Sequence, residues 1–214
     1  SWSETAFYTD ANNYPIITKP AVWVNAVTGM PLPRIYFGTG GDDRASPDFT
    51  YAFLCLRDAV AAETEWYIGD PDVLDLEPSY QRGTFGPGEK VWADPVVANY
   101  MVFFSTLTGN IESVDPCQDL AGEGKLYVRF VEAIGGGQPG QTALKGETGA
   151  MEYLALEIKA RSAVTLGETE RTEGGTRKRE VYIHEFDSTI QKLEQPSGST
   201  LRIKSWREIY RIIR

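Results

Sequence analysis

Apolar and polar residues alternate with a period near two along almost the whole chain, the spacing of strands that turn one face to a core. Runs rich in Val, Ile, Tyr, Phe and Trp, bounded by Gly, Pro, Asn and Asp, predict strands over 21–25, 34–38, 51–57, 65–68, 91–93, 96–98, 101–106, 125–132, 153–158, 180–186 and 202–209. A strand over 190–193 follows 180–186 across Asp187-Ser188-Thr189 as a hairpin. No stretch of about a dozen residues joins helical spacing to a cap and a stop signal, and the short helical character of 162–170 is too weak to count. The glycine-rich 135–150 reads as an exposed loop, and the charged 168–178 as a solvated hairpin tip. The fold class that follows is all-β.

One unit occurs twice within this pattern. Lys90-Val91-Trp92-Ala93-Asp94-Pro95-Val96-Val97, a tight turn, and Met101-Val102-Phe103-Phe104-Ser105-Thr106 share their order with Thr18-Lys19-Pro20-Ala21-Val22-Trp23, a loop, and Arg34-Ile35-Tyr36-Phe37-Gly38-Thr39. Aligning Phe37 on Phe104 places Ile35–Thr39 on Val102–Thr106, and Tyr51-Ala52-Phe53-Leu54-Cys55-Leu56 then matches Lys125-Leu126-Tyr127-Val128-Arg129-Phe130 in character. The first copy continues into Glu65-Trp66-Tyr67-Ile68, so the unit is four strands long, as in a propeller blade. The offset of roughly 70 residues exceeds the compact blade period of about 40–50, with the excess in loops such as 74–90 and 110–124. The expectation is one domain over 1–214, a partial β-propeller of two to three four-stranded antiparallel blades with long loops. Its blade-like units span about 18–70, 90–133 and 150–210, the third of them distorted. Trp23, Trp92, Phe37 and Phe104 are its inter-blade packing candidates, since aromatic rings at equivalent blade positions bury large apolar areas.

Bulk properties narrow the function classes. Twenty-one glycines and 12 prolines among 214 residues suit a chain with many turns. A net charge of −9 argues against nucleic acid or an anionic membrane as the main partner. No apolar run reaches the length of a membrane-spanning helix, and no signal peptide is visible. A start at Ser1 fits a piece processed from a longer precursor as well as an arbitrary boundary.

Candidate chemistry is sparse. Two cysteines and the single His184 do not make a zinc site. Cys55 and Cys117 are a structural disulfide candidate if the chain is secreted. Cys55 instead reads as a buried thiol within its apolar run, and Cys117 as a partner for a cysteine elsewhere. Asp42, Asp43 and Asp48 cluster as hard-cation ligands do, but follow Gly38-Thr39-Gly40-Gly41 as a polar turn does. That glycine run lacks the Gly-Lys-Ser/Thr and the helix of a phosphate-binding loop. His184 has no nucleophile motif to activate and reads as a strand residue. Glu63 with Glu65, and Glu168 with Glu170, have the form of paired glycosidase carboxylates, but 30 acidic residues produce such pairs by chance. Trp2, Trp23, Trp66, Trp92 and Trp206 suit sugar stacking or, more simply, packing between blades. No residue is assigned to catalysis, to a metal or to a cofactor, and the chain reads as non-enzymatic.

Several of these motifs, in order, resemble the C-terminal β-propeller of the PilC/PilY-type adhesins of type IV pilus tips. They are Lys19-Pro20-Ala21-Val22, Ile35-Tyr36-Phe37-Gly38-Thr39-Gly40-Gly41-Asp42-Asp43-Arg44, Lys90-Val91-Trp92-Ala93-Asp94-Pro95-Val96-Val97, Asp115-Pro116-Cys117 and Ser205-Trp206-Arg207-Glu208. The resemblance spans nearly the whole chain. It implies a non-enzymatic adhesin or pilus-assembly segment that reaches the pilus or outer cell surface through the periplasm, without inserting in a membrane. Implied partners are minor pilins and the pilus, with the remainder of a precursor, or copies of the chain, covering the open ends of a partial propeller. The family's seven-bladed propeller is longer than this chain, and its calcium loop has no counterpart in Asp10-Ala11-Asn12-Asn13, so calcium dependence does not carry over. The alternatives are a quinoprotein-like enzyme remnant, whose calcium ligands, catalytic aspartate and adjacent cysteines do not occur here as a unit, and a carbohydrate-binding propeller.

Overall fold

The computed structural model describes residues 8–9, 12–24, 32–40, 49–59, 62–108, 123–134, 136–146, 149–156, 164–165, 171–173, 176–184, 190–195 and 201–202, with the backbone alone from 156 onward. The described chain is mostly strand with almost no helix, and its sheets are built from antiparallel pairs with one parallel exception.

The first sheet runs β1 (Ala21–Trp23), β2 (Arg34–Gly38), β3 (Phe53–Asp58) and β4 (Ala62–Ile68), each antiparallel to the next. β4 starts before the expected Glu65, because Ala62, Glu63 and Thr64 complete the ladder against Asp58, Arg57 and Leu56 despite their weak strand propensity. A register shift between Cys55 and Leu56 leaves Glu65 with no residue directly opposite. One helical turn, α1 (Pro71–Leu74), capped by the Asp70 carboxylate on the Asp72 amide at 3.0 Å, leads into the segment 74–90, expected as loop. A 3₁₀ turn follows at Pro78–Tyr80. The chain then covers the end of β4, with Arg82 N donating to Tyr67 O at 2.7 Å and Gly69 N to Gly83 O at 3.0 Å.

The second sheet contains β5 (Lys90–Val91), β6 (Val96–Ala98), β7 (Met101–Thr108) and β8 (Glu123–Phe130). β5 and β6 both pair with β7, as two halves of one edge strand. Pro95 lies in the interruption, where its missing N–H breaks no ladder. The chain continues as a hairpin of β9 (Leu144–Gly146) and β10 (Gly149–Met151), and β11 (Leu154–Leu156) then returns to pair with β8. Two expectations change here. Residues 135–150 are not a plain exposed loop, because Ala143 and Leu144 are fully buried against the second sheet. The second unit also does not finish by residue 133, since its fourth strand is Leu154–Leu156.

The rest of the described chain is β12 (Val164–Thr165), β13 (Arg171–Glu173), β14 (Thr176–His184), β15 (Ile190–Gln195) and β16 (Leu201–Arg202). These extend the β9/β10 hairpin into a third sheet, ordered β10-β9-β16-β15-β14-β12, with β13 also on β14 and β16 parallel to β9. Val164–Thr165 is strand, so the helical character of 162–170 is not realised there.

The first two sheets stack face to face. Tyr36, Phe53, Cys55, Trp66 and Ile68 of the first meet Val91, Val102, Phe104 and Tyr127 of the second in one buried cluster. Phe37, Leu54, Leu56 and Tyr67 point the other way, onto Leu74 of α1. Met101, Phe103, Leu126, Val128 and Phe130 fill the far face of the second sheet, under Ala143 and Leu144.

Strand direction follows from contacts at the two ends of the stack. The Arg34 guanidinium at the start of β2 reaches Glu132, just past β8, while Val131 N donates to Tyr100 O, just before β7. At the other end, Val91 N donates to Thr39 O at 3.4 Å, and Val91 pairs with Thr106 late in β7. β2 and β7 therefore run the same way. Phe37 lies on the outward face of its sheet while Phe104 faces the first sheet, so matched residues look in the same direction rather than toward each other.

The ladder corrects one detail of the sequence match. Phe37 pairs with Leu54 and Phe104 with Tyr127, so Leu54, not Phe53, corresponds to Tyr127. With a side-chain period of two, that single step sends Phe53 and Leu54 to opposite faces. The described sheets do not close into a ring.

Candidate functional site

Polar groups cluster at two places along the seam between the first two sheets. The first is Glu89, fully buried just before β5. One carboxylate oxygen accepts from the Thr106 hydroxyl at 2.6 Å and the Tyr127 hydroxyl at 2.8 Å. The other accepts from the Lys125 ammonium at 2.7 Å and the Gly86 amide at 2.9 Å. Four donors fill the acceptor capacity of a carboxylate. The carboxylate thereby locks the 86–89 turn to strands β7 and β8. Burial, and then the neighbouring Glu89 charge, push the Tyr127 phenol far above its ordinary range, so it stays a donor.

The second cluster lies at the opposite end of the seam, partly open to solvent. Arg34 of β2 grips both oxygens of Glu65 through Nε and Nη2, the latter at 2.8 Å, and extends Nη1 to Glu132 at 3.5 Å. Three neighbours combine to place these groups. Arg34 sits two residues before Tyr36 on the same face of β2, the irregularity in β3–β4 turns Glu65 onto that face, and Glu132 follows the end of β8. The Glu65 fork raises the Arg34 pKa further, so its charge is permanent. Beneath the pair, the Cys55 thiol donates to Glu65 at 3.7 Å. Burial and the Glu65 charge hold Cys55 well above the ordinary thiol range.

Two aromatic rings stand over this charged floor. The Trp23 indole N–H donates to Glu132 at 3.1 Å, and Tyr100 meets the Trp23 ring at a centroid distance of 5.5 Å and an interplanar angle of 68°. Tyr100 occupies the tip of the two-residue turn between β6 and β7, where Asn99 has φ 53° and Tyr100 φ 63°. Such a turn favours Asn followed by Gly. Asn99 conforms, whereas a tyrosine held at positive φ costs about 1–3 kcal/mol. The residue is still 39% exposed.

The packing candidates separate. Phe104 lies at the centre of the inter-sheet core and Trp23 at its margin. Phe37 packs on the outer face of the first sheet. Trp92 is half-buried, with Lys90 Nζ 5.8 Å from its ring centroid. Trp66, not singled out for packing by the repeat, is fully buried at the seam. Cys55 is a buried free thiol, and Cys117 lies outside the described residues. Asp42, Asp43, Asp48, Glu168 and Glu170 also lie outside them. Glu63 pairs with Arg57 and Glu65 with Arg34, so these two glutamates are separately engaged. The backbone of His184, at the end of β14, pairs with Ile190 of β15. Among the described residues, no group of three or more His, Cys, Asp or Glu is arranged to hold a metal ion, and no helix is long and apolar enough to cross a membrane.

Sequence reasoning missed Glu89, Arg34 and Tyr100. Only the last left a trace, as a non-glycine residue in a tight turn between two strands. No family model, curated protein or solved structure matches this chain.

Proposed function

We propose that this chain is the recognition segment of a pilus-associated adhesin or assembly factor, built as consecutive blades of a partial propeller and working without catalysis. The observation that carries the reading is the relation between the first two sheets. Like strands run the same way and like faces look the same way. Neighbouring blades have that relation, whereas a two-fold sandwich turns matched faces toward each other. The motif order, which resembles that of the PilC/PilY-type family, points to the biological setting, at the pilus or outer cell surface after passage through the periplasm.

Both outer faces of this stack are covered, one by Leu74 and the other by Ala143 and Leu144, which leaves the β1 edge of the first sheet as an open side. Ile16, Ile17, Val22, Val24 and Leu32, around the β1 edge, are each more than 40% exposed. Such a patch marks a surface that is covered in an assembly. The remainder of a precursor or another copy of the chain is the natural cover, with minor pilins as further partners. Immunogold labelling of the source bacterium, with pilus counts in a deletion strain, tests the proposal. Label on pili or the outer surface with reduced piliation is the expected result. Exclusively cytoplasmic label with unchanged piliation overturns it.

A further inference from the structure

We infer that Trp23 and Tyr100, with Arg34 and Glu132 beneath them, form a binding site for a neutral saccharide. The inference rests on the reading of the chain as a recognition segment and names what its surface recognises. The first observation is the ring of Tyr100, held out at a hairpin tip in a backbone conformation that disfavours any side chain with a Cβ. Glycine at that position would relieve the turn, so the ring is kept against local preference. Strain of this kind gathers at ligand sites.

The second observation is the surroundings of the ring. Trp23 stands edge-on to it at 5.5 Å, and the Glu132 carboxylate orients Trp23 through its indole N–H. Apolar walls of this sort suit the C–H face of a pyranose ring. Arg34, Glu65 and Glu132 have side chains 18–20% exposed, so hydrogen-bonding groups of both polarities open beside the aromatic wall. A sugar presents both donors and acceptors through its hydroxyls.

Charge selects among ligands. Arg34 is already engaged by Glu65 and Glu132, so no guanidinium is left to recruit a phosphate or an acidic sugar. A cation cage would need a carboxylate uncompensated beside the rings. Here both carboxylates already share Arg34, so a neutral ligand fits better than an ammonium group.

The test is saturation-transfer NMR on the full chain with the methyl glycosides of glucose, galactose, mannose and N-acetylglucosamine, and with choline as the cationic control. At least one glycoside should receive saturation, and the effect should fall about tenfold or more in Tyr100→Gly, a loss equivalent to about 1.4 kcal/mol. Tyr100→Gly keeps a residue suited to the turn, and Tyr100→Asn repeats the test with a side chain that tolerates positive φ. Both variants should retain the wild-type far-ultraviolet circular dichroism spectrum. Transfer to none of the glycosides, transfer that survives both variants, or transfer to choline alone overturns the inference. A chain found on pili that binds no saccharide sinks this inference and leaves the proposed function standing. A chain that binds saccharide but is confined to the cytoplasm does the reverse.

Discussion

Phe53 of the first sheet lies flat on Phe104 of the second, with ring centroids 3.7 Å apart and planes 7° from parallel. Tyr127 continues the stack beyond Phe104 at 5.0 Å and 1°. Three rings from β3, β7 and β8 thus form one column across the seam, and the two sheets share a core instead of owning one each. Phe104→Ala should therefore cost about 3–5 kcal/mol. Urea denaturation followed separately by tryptophan fluorescence and by far-ultraviolet circular dichroism should give one coincident transition, shifted to lower denaturant. Two separated transitions would mean that the sheets fold independently.

Glu89 gives a second measurable quantity. Glu89→Gln removes the charge opposite Lys125 and turns an amide donor toward groups that are themselves donors. The expected loss is about 3–5 kcal/mol, as for a broken buried ion pair. Lys125→Met leaves the fully buried Glu89 carboxylate without its countercharge and should cost a similar amount, about 3–5 kcal/mol. A loss below about 1 kcal/mol for either variant in chemical denaturation would contradict the assignment of Glu89 as the hub.

Gly38 ends β2 directly against Val91 of the second sheet. A Cβ built there falls 2.1 Å from the nearest methyl of Val91 and 2.2 Å from its Cβ. Gly38→Ala should destabilise the fold by about 1–3 kcal/mol through overpacking. In the double variant Gly38→Ala with Val91→Gly, the total loss should be smaller than the sum of the single losses, since the clash is counted in only one of them. Simple additivity, measured by thermal or urea unfolding, would show that the two positions do not touch.

The buried phenols set the alkaline limit of stability. Burial raises Tyr36, with Cys55 beside it adding to the effect, and burial with the Glu89 charge raises Tyr127. In the unfolded chain each ionises near pH 10. Between that value and the higher native one, the unfolded chain holds fewer protons than the native chain, so stability falls as pH rises. Below about pH 10 the two phenols leave stability unchanged. Cys55 acts with the same sign from about pH 9, where an unfolded thiol ionises. Phenolate absorbance of these two among the 11 tyrosines should therefore appear only on unfolding, and Tyr127→Phe should remove its share. A thiol-reactive dye should reach Cys55 in urea but not in native buffer. Native-state ionisation of both phenols near pH 10 would contradict the buried seam.

Strand existence was legible because alternation is a local property. Arg34-Ile35-Tyr36-Phe37-Gly38 and Met101-Val102-Phe103-Phe104 carry it in a few consecutive residues, and the ladder bears both out. The strand at Leu144–Gly146 was not legible, since only Ala143 and Leu144 there are apolar and buried, too few to display a period. The same holds for the start of β4, where cross-strand partners hold a polar segment in the sheet.

The charged floor under Trp23 shows the harder limit. Arg34, Glu65 and Glu132 come from three separated places in the chain, and nothing in their local patterns marks them as neighbours. Local pattern was enough for an all-β chain and a strand unit met twice, because strand propensity and period act over a few residues. Tertiary structure alone decided which face of each strand is inward, that Leu54 rather than Phe53 matches Tyr127, and which charges meet across the seam. A one-residue change of register costs no local preference, yet it exchanges the two faces of a sheet. Only the packing of one sheet on the next distinguishes them.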